Sequence, residues 1–458
     1  MRAAALLGLL ASALFGCVSS GAGYDLTRST LRDRAQLELP ADDERDQVRA
    51  DLLSRPLTAE SAARLALAAS PDVDAALAGV GVSRAELVRA LRLPNPKGEI
   101  GARFGHGDEP VLEIAATLDL IDLVMLPARE AGASLRLDAA ALEAAGALVD
   151  VAHGAKIAFY EAQAAAQVLE LERTITFAAA QSSDFASRLR GAGNVPELDA
   201  LLERALFEEA RLSLARAEVA DAAARERLNA ALGLHGAAAS SWKLSGRLAE
   251  PDTFDATSLE AKAVGQNLDL AALEKRYGAA RSDVDLAWAQ GLLPEIEAGV
   301  QLEREGGEWA IGPVVGVELP LFYQGQGEVA AAEAQMRAAK GAHTGVAVKV
   351  RAAARSIAIE LTGTRQTAAF YKETLLPLRE SIVDATLRKY NAMDTGPAEV
   401  LRAKRDQIQA ARAYVEVLRE YWITRTQADM LLAGRLPFAL PSARARSAPS
   451  SEAPGGGH

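Results

Sequence analysis

No disulfide can form within this chain, because Cys17 is its only cysteine. Aromatic residues are scarce too, at 5% of 458 positions, although half of the sequence is hydrophobic. The apolar content is therefore mostly Ala, Leu and Val, and a core built on aromatic packing is excluded. Such an Ala/Leu/Glu/Arg-rich chain reads as long helices packed closely on one another. Basic charge is in short supply: the formal net charge is −11, which argues against a nucleic-acid partner, since phosphates require a basic face. Past the N-terminus no run of 18 or more apolar residues occurs, so the mature chain offers no transmembrane helix. A crossing of the membrane would have to be made by a closed β-barrel, the other structure that satisfies its own backbone in lipid. Catalytic sets are missing as well. The histidines, His106, His153, His235, His343 and His458, pair with no other His or Cys at ligand spacing, and each is expected in a loop or on a helix surface. Five methionines without a cluster give no soft-metal relay. Gly191-Ala192-Gly193 lacks the strand-then-helix context of a nucleotide loop. The sequence thus predicts no catalytic residue, no metal site and no cofactor.

What the N-terminus does hold is a short positive start, Met1-Arg2, and an apolar stretch from Ala3 to Phe15. That stretch is too short to span a bilayer and fits a secretory signal. Leu14-Phe15-Gly16-Cys17 resembles the bacterial lipobox, in which the cysteine is acylated and becomes the mature N-terminus. Residues 1–16 are accordingly expected as a lipoprotein signal peptide. Val18, rather than Asp, follows the cysteine, which resembles outer-membrane sorting. Residues 17–56 are polar, with Pro40, Pro56 and a charged patch from Asp42 to Asp46, and are expected as an extended arm. Residues 435–458 end in a Ser/Ala/Pro/Gly-rich stretch and are expected as a disordered tail.

The body between them is duplicated. Leu198-Asp199-Ala200-Leu201 matches Ala398-Glu399-Val400-Leu401, and Leu93-Pro94 matches Leu293-Pro294, both at an offset of 200; Leu118-Asp119-Leu120 matches Val317-Glu318-Leu319 at 199. A period this long means two copies of one large unit, not a solenoid. The copies are expected over 57–235 and 236–434. Each begins with a helix, about 58–92 and 256–291, the first broken at Ser70-Pro71 because proline suits the start of a helical turn. Two short strands follow, then a very long helix, about 128–190 and 326–390, and its partner, about 197–233 and 398–433.

Strands are predicted near 96–105, 111–121, 295–304 and 309–320 from period-two alternation. Ile100, Ala102 and Phe104 alternate with Glu99, Gly101 and Arg103; Leu112, Ile114, Ala116 and Leu118 alternate with Glu113, Ala115, Thr117 and Asp119. The second copy repeats this, with Glu297, Glu303 and Glu318 on its polar side. Gly105-His106-Gly107-Asp108 and Glu305-Gly306-Gly307-Glu308 supply hairpin turns. About ten residues a side is what a tilted membrane strand needs. Four strands cannot close a barrel, whereas three chains would provide twelve. The long helices show heptad steps, Leu135-Leu142-Val149, Leu198-Ala205-Leu212-Val219 and Leu401-Ile408-Val415-Trp422, which predict coiled-coil seams.

Over about 57–434 the order, spacing and duplication resemble the TolC-type outer-membrane efflux factor family. Leu57-Thr58, Ser70-Pro71 and Leu93-Pro94-Asn95-Pro96 carry the resemblance at the start; Leu189 to Gly193 leading to Leu201, and Lys389 to Ala392 leading to Leu401, carry it at the helical tips. One departure stands out: Met393 occupies the position of Gly193 in the first copy. The resemblance implies a mainly α fold with a β-barrel part: a homotrimer whose twelve-stranded outer-membrane barrel continues into a helical periplasmic tunnel. It implies partners as well, a periplasmic adaptor and an inner-membrane pump, with outer-membrane lipid around the barrel. Glu113, Asp119, Glu297, Glu303 and Glu318 would then line the lumen as carboxylate rings favouring cations. The gate would lie at Gly193, Asn194, Val195 and Pro196 and at Met393, Asp394, Thr395, Gly396 and Pro397, where glycine and proline breaks let helix ends splay. The expected function is passive export of heavy-metal cations or drugs. Pro94-Asn95-Pro96 resembles the heavy-metal branch of such systems. A type I protein-secretion duct and a non-conducting lipid-anchored coiled-coil scaffold remain alternatives on the sequence.

Overall fold

The computed structural model describes residues 21–104, 110–305 and 307–437. Residues 1–20, with the expected signal peptide and Cys17, the segment 105–109 with His106, Gly306 and the residues from 438 lie outside the described residues. In chain order the elements are α1 (Tyr24–Ala35), α2 (Arg45–Leu53), α3 (Ala59–Ala69), α4 (Pro71–Ala90), β1 (Lys97–Arg103), β2 (Val111–Asp119), α5 (Leu120–Val124), α6 (Leu126–Gly191) and α7 (Glu197–Leu232). After a 3-10 turn at Gly236–Ser240 come α8 (Leu259–Gln266), α9 (Leu268–Leu292), β3 (Glu295–Glu305), β4 (Glu308–Glu318), α10 (Gln326–Phe370), a π turn (Tyr371–Leu375), α11 (Leu376–Asn391) and α12 (Pro397–Leu432).

The duplication governs this order. The long helix of each copy begins and ends 200 positions from its counterpart, at 126 and 326 and at 191 and 391. With 66 residues, α6 is roughly 100 Å long at 1.5 Å per residue. The counterpart is interrupted by the π turn just before Pro377, whose missing N–H breaks the regular ladder. Short helices lead in. Thr58 caps α3 through a reciprocal box with Ser61, and the Ser70 hydroxyl accepts from the Asp72 amide at 3.3 Å, starting α4 at a bend of 53°. Among the described residues no single helix is long and apolar enough to cross a membrane.

Equivalent cores hold each copy. Leu65, Phe159, Leu228 and Leu232 pack with Trp242 in the first, and Ile357, Leu361, Tyr421 and Leu431 pack with Leu259 in the second. Arg412 on α12 reaches the buried Glu172 of α6 at 3.0 Å and ties the copies together. Two expectations about the flanks are corrected. The arm is not extended: α1 docks on α6, with Leu31 fully buried and the Thr27 hydroxyl donating to the Ala141 carbonyl at 3.1 Å. Tertiary burial of Leu31 outweighs a polar composition that reads locally as a linker. The chain is also ordered past 434, because Arg435 is clamped between Asp150 and Asp269.

A third correction concerns α7. Its leucine heptad is not the buried seam. Leu198, Leu212 and Val219 are exposed, and the register facing α6 is Glu203, Ala210, Ala217 and Ala224. Small residues there let the helices approach closely, and the leucines are left pointing away from the chain. The Leu401 series behaves as expected, with Ile408 and Val415 buried.

Candidate functional site

The four strands form one antiparallel sheet in the order β1-β2-β3-β4. Its register sorts every strand residue onto two faces. Rows such as Ile100-Ile114-Leu302-Ile311 and Ala116-Val300-Pro313 make an apolar face. That face is uncovered, with Ile100 79% and Ile311 74% exposed. The interruption near the hairpin end is Arg304, which lies 5.9 Å from the ring centre of Trp309. Proline at 313 sits in the edge strand β4, where an N–H is dispensable.

The five carboxylates predicted to line a lumen all fall on the opposite face, and three of them, Glu113, Glu297 and Glu303, are held in ion pairs. Glu113 stands directly across from Glu303, and Asp119 from Glu297, pairings that are destabilising if unrelieved. Arg103 relieves the first, bonding Glu113 and lying 3.5 Å from Glu303. Lys97 bonds Glu297 and relieves the second. The Asp119 carboxylate caps α5, accepting from the Ile121 and Asp122 amides at 2.9 and 3.1 Å. Glu318 faces Glu295, and Glu305 faces Glu308; none of these four makes an ion pair among the described residues. Unpaired carboxylates therefore stand at both ends of the sheet, and Glu99 adds one on β1, whereas Glu113, Glu303 and Glu297 are partly offset by Arg103 and Lys97. The part played by Lys97 and Arg103 was not anticipated from the sequence. The signal was present in the spacing, since each stands 200 positions before the glutamate it meets.

Below the sheet, α4, α6, α9 and α10 lie side by side. One side of this wall is a groove of about 790 Å³, floored by alanines and by Gly79 and Ser83. Four of its five charges are paired within the chain, Arg136 with Asp283 and Arg276 with Glu143 at 2.7 Å, while Glu86 makes no ion pair among the described residues. Helix α1 packs on a different side, where Gly23 meets Val80 and Leu137.

At the far end of the long helices the two turns are superimposable in their hydrogen bonds. The Gly193 amide donates to the Arg190 carbonyl at 2.9 Å and the Asn194 amide to Leu189 at 3.0 Å; Met393 donates to Tyr390 and Asp394 to Lys389, each at 2.9 Å. This is the left-handed helix stop that favours glycine. Gly193 adopts φ +75° and Met393 adopts φ +61°, so methionine takes the strained conformation without altering the turn. Its side chain is 94% exposed and gains nothing in packing. Replacing Met393 by Gly is expected to stabilise this turn by ~1 kcal/mol, seen as slower amide exchange over Lys389–Asp394. Unchanged or faster exchange would mean that the methionine is held by contacts outside the chain.

His153 departs from the expected surface placement. It is buried in α6, with Nδ1 2.9 Å from the Val149 carbonyl, and burial pushes its pKa down. His235 is exposed and His343 half-buried. Among the described residues no group of three or more His, Cys, Asp or Glu is placed to hold a metal ion.

No protein-family model and no curated protein sequence matches this chain. Solved structures do. A membrane protein from Pseudomonas aeruginosa aligns over 85% of this chain and 92% of its own, with a TM-score of 0.69 and 18% identity. The outer membrane protein VceC of Vibrio cholerae aligns over 86% and 97%, at 0.66 and 16%. The CmeC outer membrane channel of Campylobacter jejuni aligns over 85% and 86%, at 0.68 and 12%. The fold is that of a TolC-type outer-membrane channel protomer. Within that fold the acidic sheet face, the grooved helical wall and the two tips follow one another along the molecule.

Proposed function

We propose that three copies of this chain close into a conduit through the outer membrane and periplasm, carrying cargo passively for an energised inner-membrane pump. The observation that carries this is the sheet. Both of its edges, β1 and β4, lack a partner strand among the described residues, one face is apolar and uncovered, and the other is acidic. Joining β4 of one copy to β1 of the next satisfies the edges. Three copies give a twelve-stranded barrel, apolar outward to lipid and acidic inward. The outward leucines of α7 support the same assembly, since Leu198, Leu212 and Val219 need a neighbouring helix to cover them.

Attachment through an acylated Cys17 is part of the proposal. Gly23 lies against Leu137, about 17 Å down α6 from its start at the sheet. The six residue-to-residue steps from Cys17 to Gly23 reach at most about 20 Å, enough to bring an acyl group back to the barrel. The intact mass of the mature chain tests this: an acylated N-terminal cysteine is expected, and an unmodified one overturns it. The tips, Gly193 to Pro196 and Met393 to Pro397, are the proposed gate and the contact for a periplasmic adaptor. No reaction is assigned to the chain.

Purified trimer in a planar bilayer is expected to conduct, and to migrate on gels as a heat-sensitive oligomer; a non-conducting monomer would favour the scaffold alternative. Selectivity follows from the charge map. Arg103→Gln frees Glu113 and Glu303, so the reversal potential in asymmetric KCl is expected to shift toward greater cation preference. Glu113→Gln is expected to shift it the other way. No shift in either variant would show that these side chains do not face the permeating ions.

A further inference from the structure

The aromatic residues of the strand hairpins, Phe104 and Trp309, both stand at the hairpin-turn end of the sheet. At the other end the strands finish in charge, at Lys97, Asp119, Glu295 and Glu318. A membrane band needs amphipathic side chains at both of its rims, so the second rim is absent from the strands themselves. It is found just beyond them. Trp288 and Leu292 near the end of α9 are 57% and 71% exposed, and Leu321 and Phe322 in the crossover from β4 to α10 are 72% and 98% exposed.

These residues are held, not trailing. Gly325 lies against Gly291 and the Ala287 carbonyl, and Gly291 has no room for a Cβ beside the Gln324 carbonyl. The crossover is thereby fastened to the end of α9, which brings Trp288, Leu292 and Phe322 to one level. The Tyr323 hydroxyl donates to Glu328 at 2.5 Å and accepts from the Gly327 amide at 3.2 Å. Tyr323 is folded back on the start of α10, and the neighbouring Phe322 projects outward. The level also fits. From Trp309 to Leu319 the strand rises roughly 34 Å, about 26 Å in height at a tilt near 40°, which matches the apolar band of an outer-membrane barrel. Phe322 follows immediately. Leu319, 60% exposed, makes the surface continuous with the apolar strand face.

We infer that Trp288, Leu292, Leu321 and Phe322 form an apolar collar that sits in the interfacial zone of the periplasmic leaflet and fixes the depth of the barrel in the membrane. The partner is phospholipid, contacted by one helix and one crossover rather than by strand residues. This inference rests on the barrel reading and extends it below the last strand residue.

Nitroxide probes on Phe322→Cys and Trp288→Cys in the full trimer test it, in vesicles of phosphatidylethanolamine and phosphatidylglycerol. Ile311→Cys reports the band itself. At both collar positions oxygen collisions are expected to exceed those of a water-soluble nickel chelate several-fold, as at Ile311. Nickel-dominated collisions at the collar with oxygen-dominated collisions at Ile311 would overturn the collar and leave the barrel standing. Protection from both reagents would place a neighbouring copy over these residues and overturn the collar equally. Nickel-dominated collisions at all three would defeat the barrel and the collar together.

Discussion

Val300→Arg is expected to remove nearly all heat-sensitive trimer from the outer membrane. Val300 lies in the middle row of the apolar face, between Ala116 and Pro313, and is 48% exposed in the single chain. A guanidinium at the midplane of a barrel costs about 2–4 kcal/mol on the lipid side, and the trimer carries the cost three times. Gln301, its neighbour in sequence, points to the acidic face opposite Ala115 and Gly312. Gln301→Arg is therefore expected to assemble normally. The comparison is read from the amount of trimer in isolated outer membranes before and after boiling. Equal yields from the two variants would show that the faces are not divided between lipid and water.

Arg435→Ala is expected to cost about 3–5 kcal/mol of stability, the penalty for leaving buried charge unpaired. The Arg435 side chain is 16% exposed and bonds Asp150, 13% exposed, and Asp269, 26% exposed. It also fills the space beside Gly146. Burial raises both carboxyls above their ordinary range, and the guanidinium only partly offsets it. A carboxyl whose folded pKa is raised favours folding most at low pH, and that contribution falls as pH rises through the folded pKa. The loss in Arg435→Ala is thus expected to be greatest near neutral pH and to shrink on acidification, as Asp150 and Asp269 take up protons. Denaturant melts at two pH values measure this. A loss that grows on acidification would mean that the carboxylates stay solvated when the arginine is gone.

Much of the architecture was legible because it is written twice. Period-two alternation around Ile114 and Val300 marked the strands, Ser70-Pro71 marked a bend, and the 200-residue offset fixed which helix answers to which. What escaped depends on contacts that no local pattern contains. The docking of Leu31 on α6 turned a polar arm into helix, and the ordering of Arg435 required two aspartates far away in sequence. The acidic face was legible as a face, but the pairing of Glu113, Glu297 and Glu303 with Lys97 and Arg103 across β2 was not. In α7 the leucine heptad was real, yet it described an exposed face; the internal seam, Ala210-Ala217-Ala224, is too weakly patterned to compete with it. The shared geometry of the tips was hidden by Met393, which tolerates a conformation usually left to glycine.

The cations at 97 and 103 and the glutamates at 297 and 303 occupy matching places in the two halves. A ring assembled from six identical half-chains would set cation beside cation, or carboxylate beside carboxylate, at every one of those places. Covalent fusion removes that constraint, since each half can then drift to the sign its sibling lacks. The ancestral symmetry survives in the helix lengths and has been broken at the sites where identical neighbours repel.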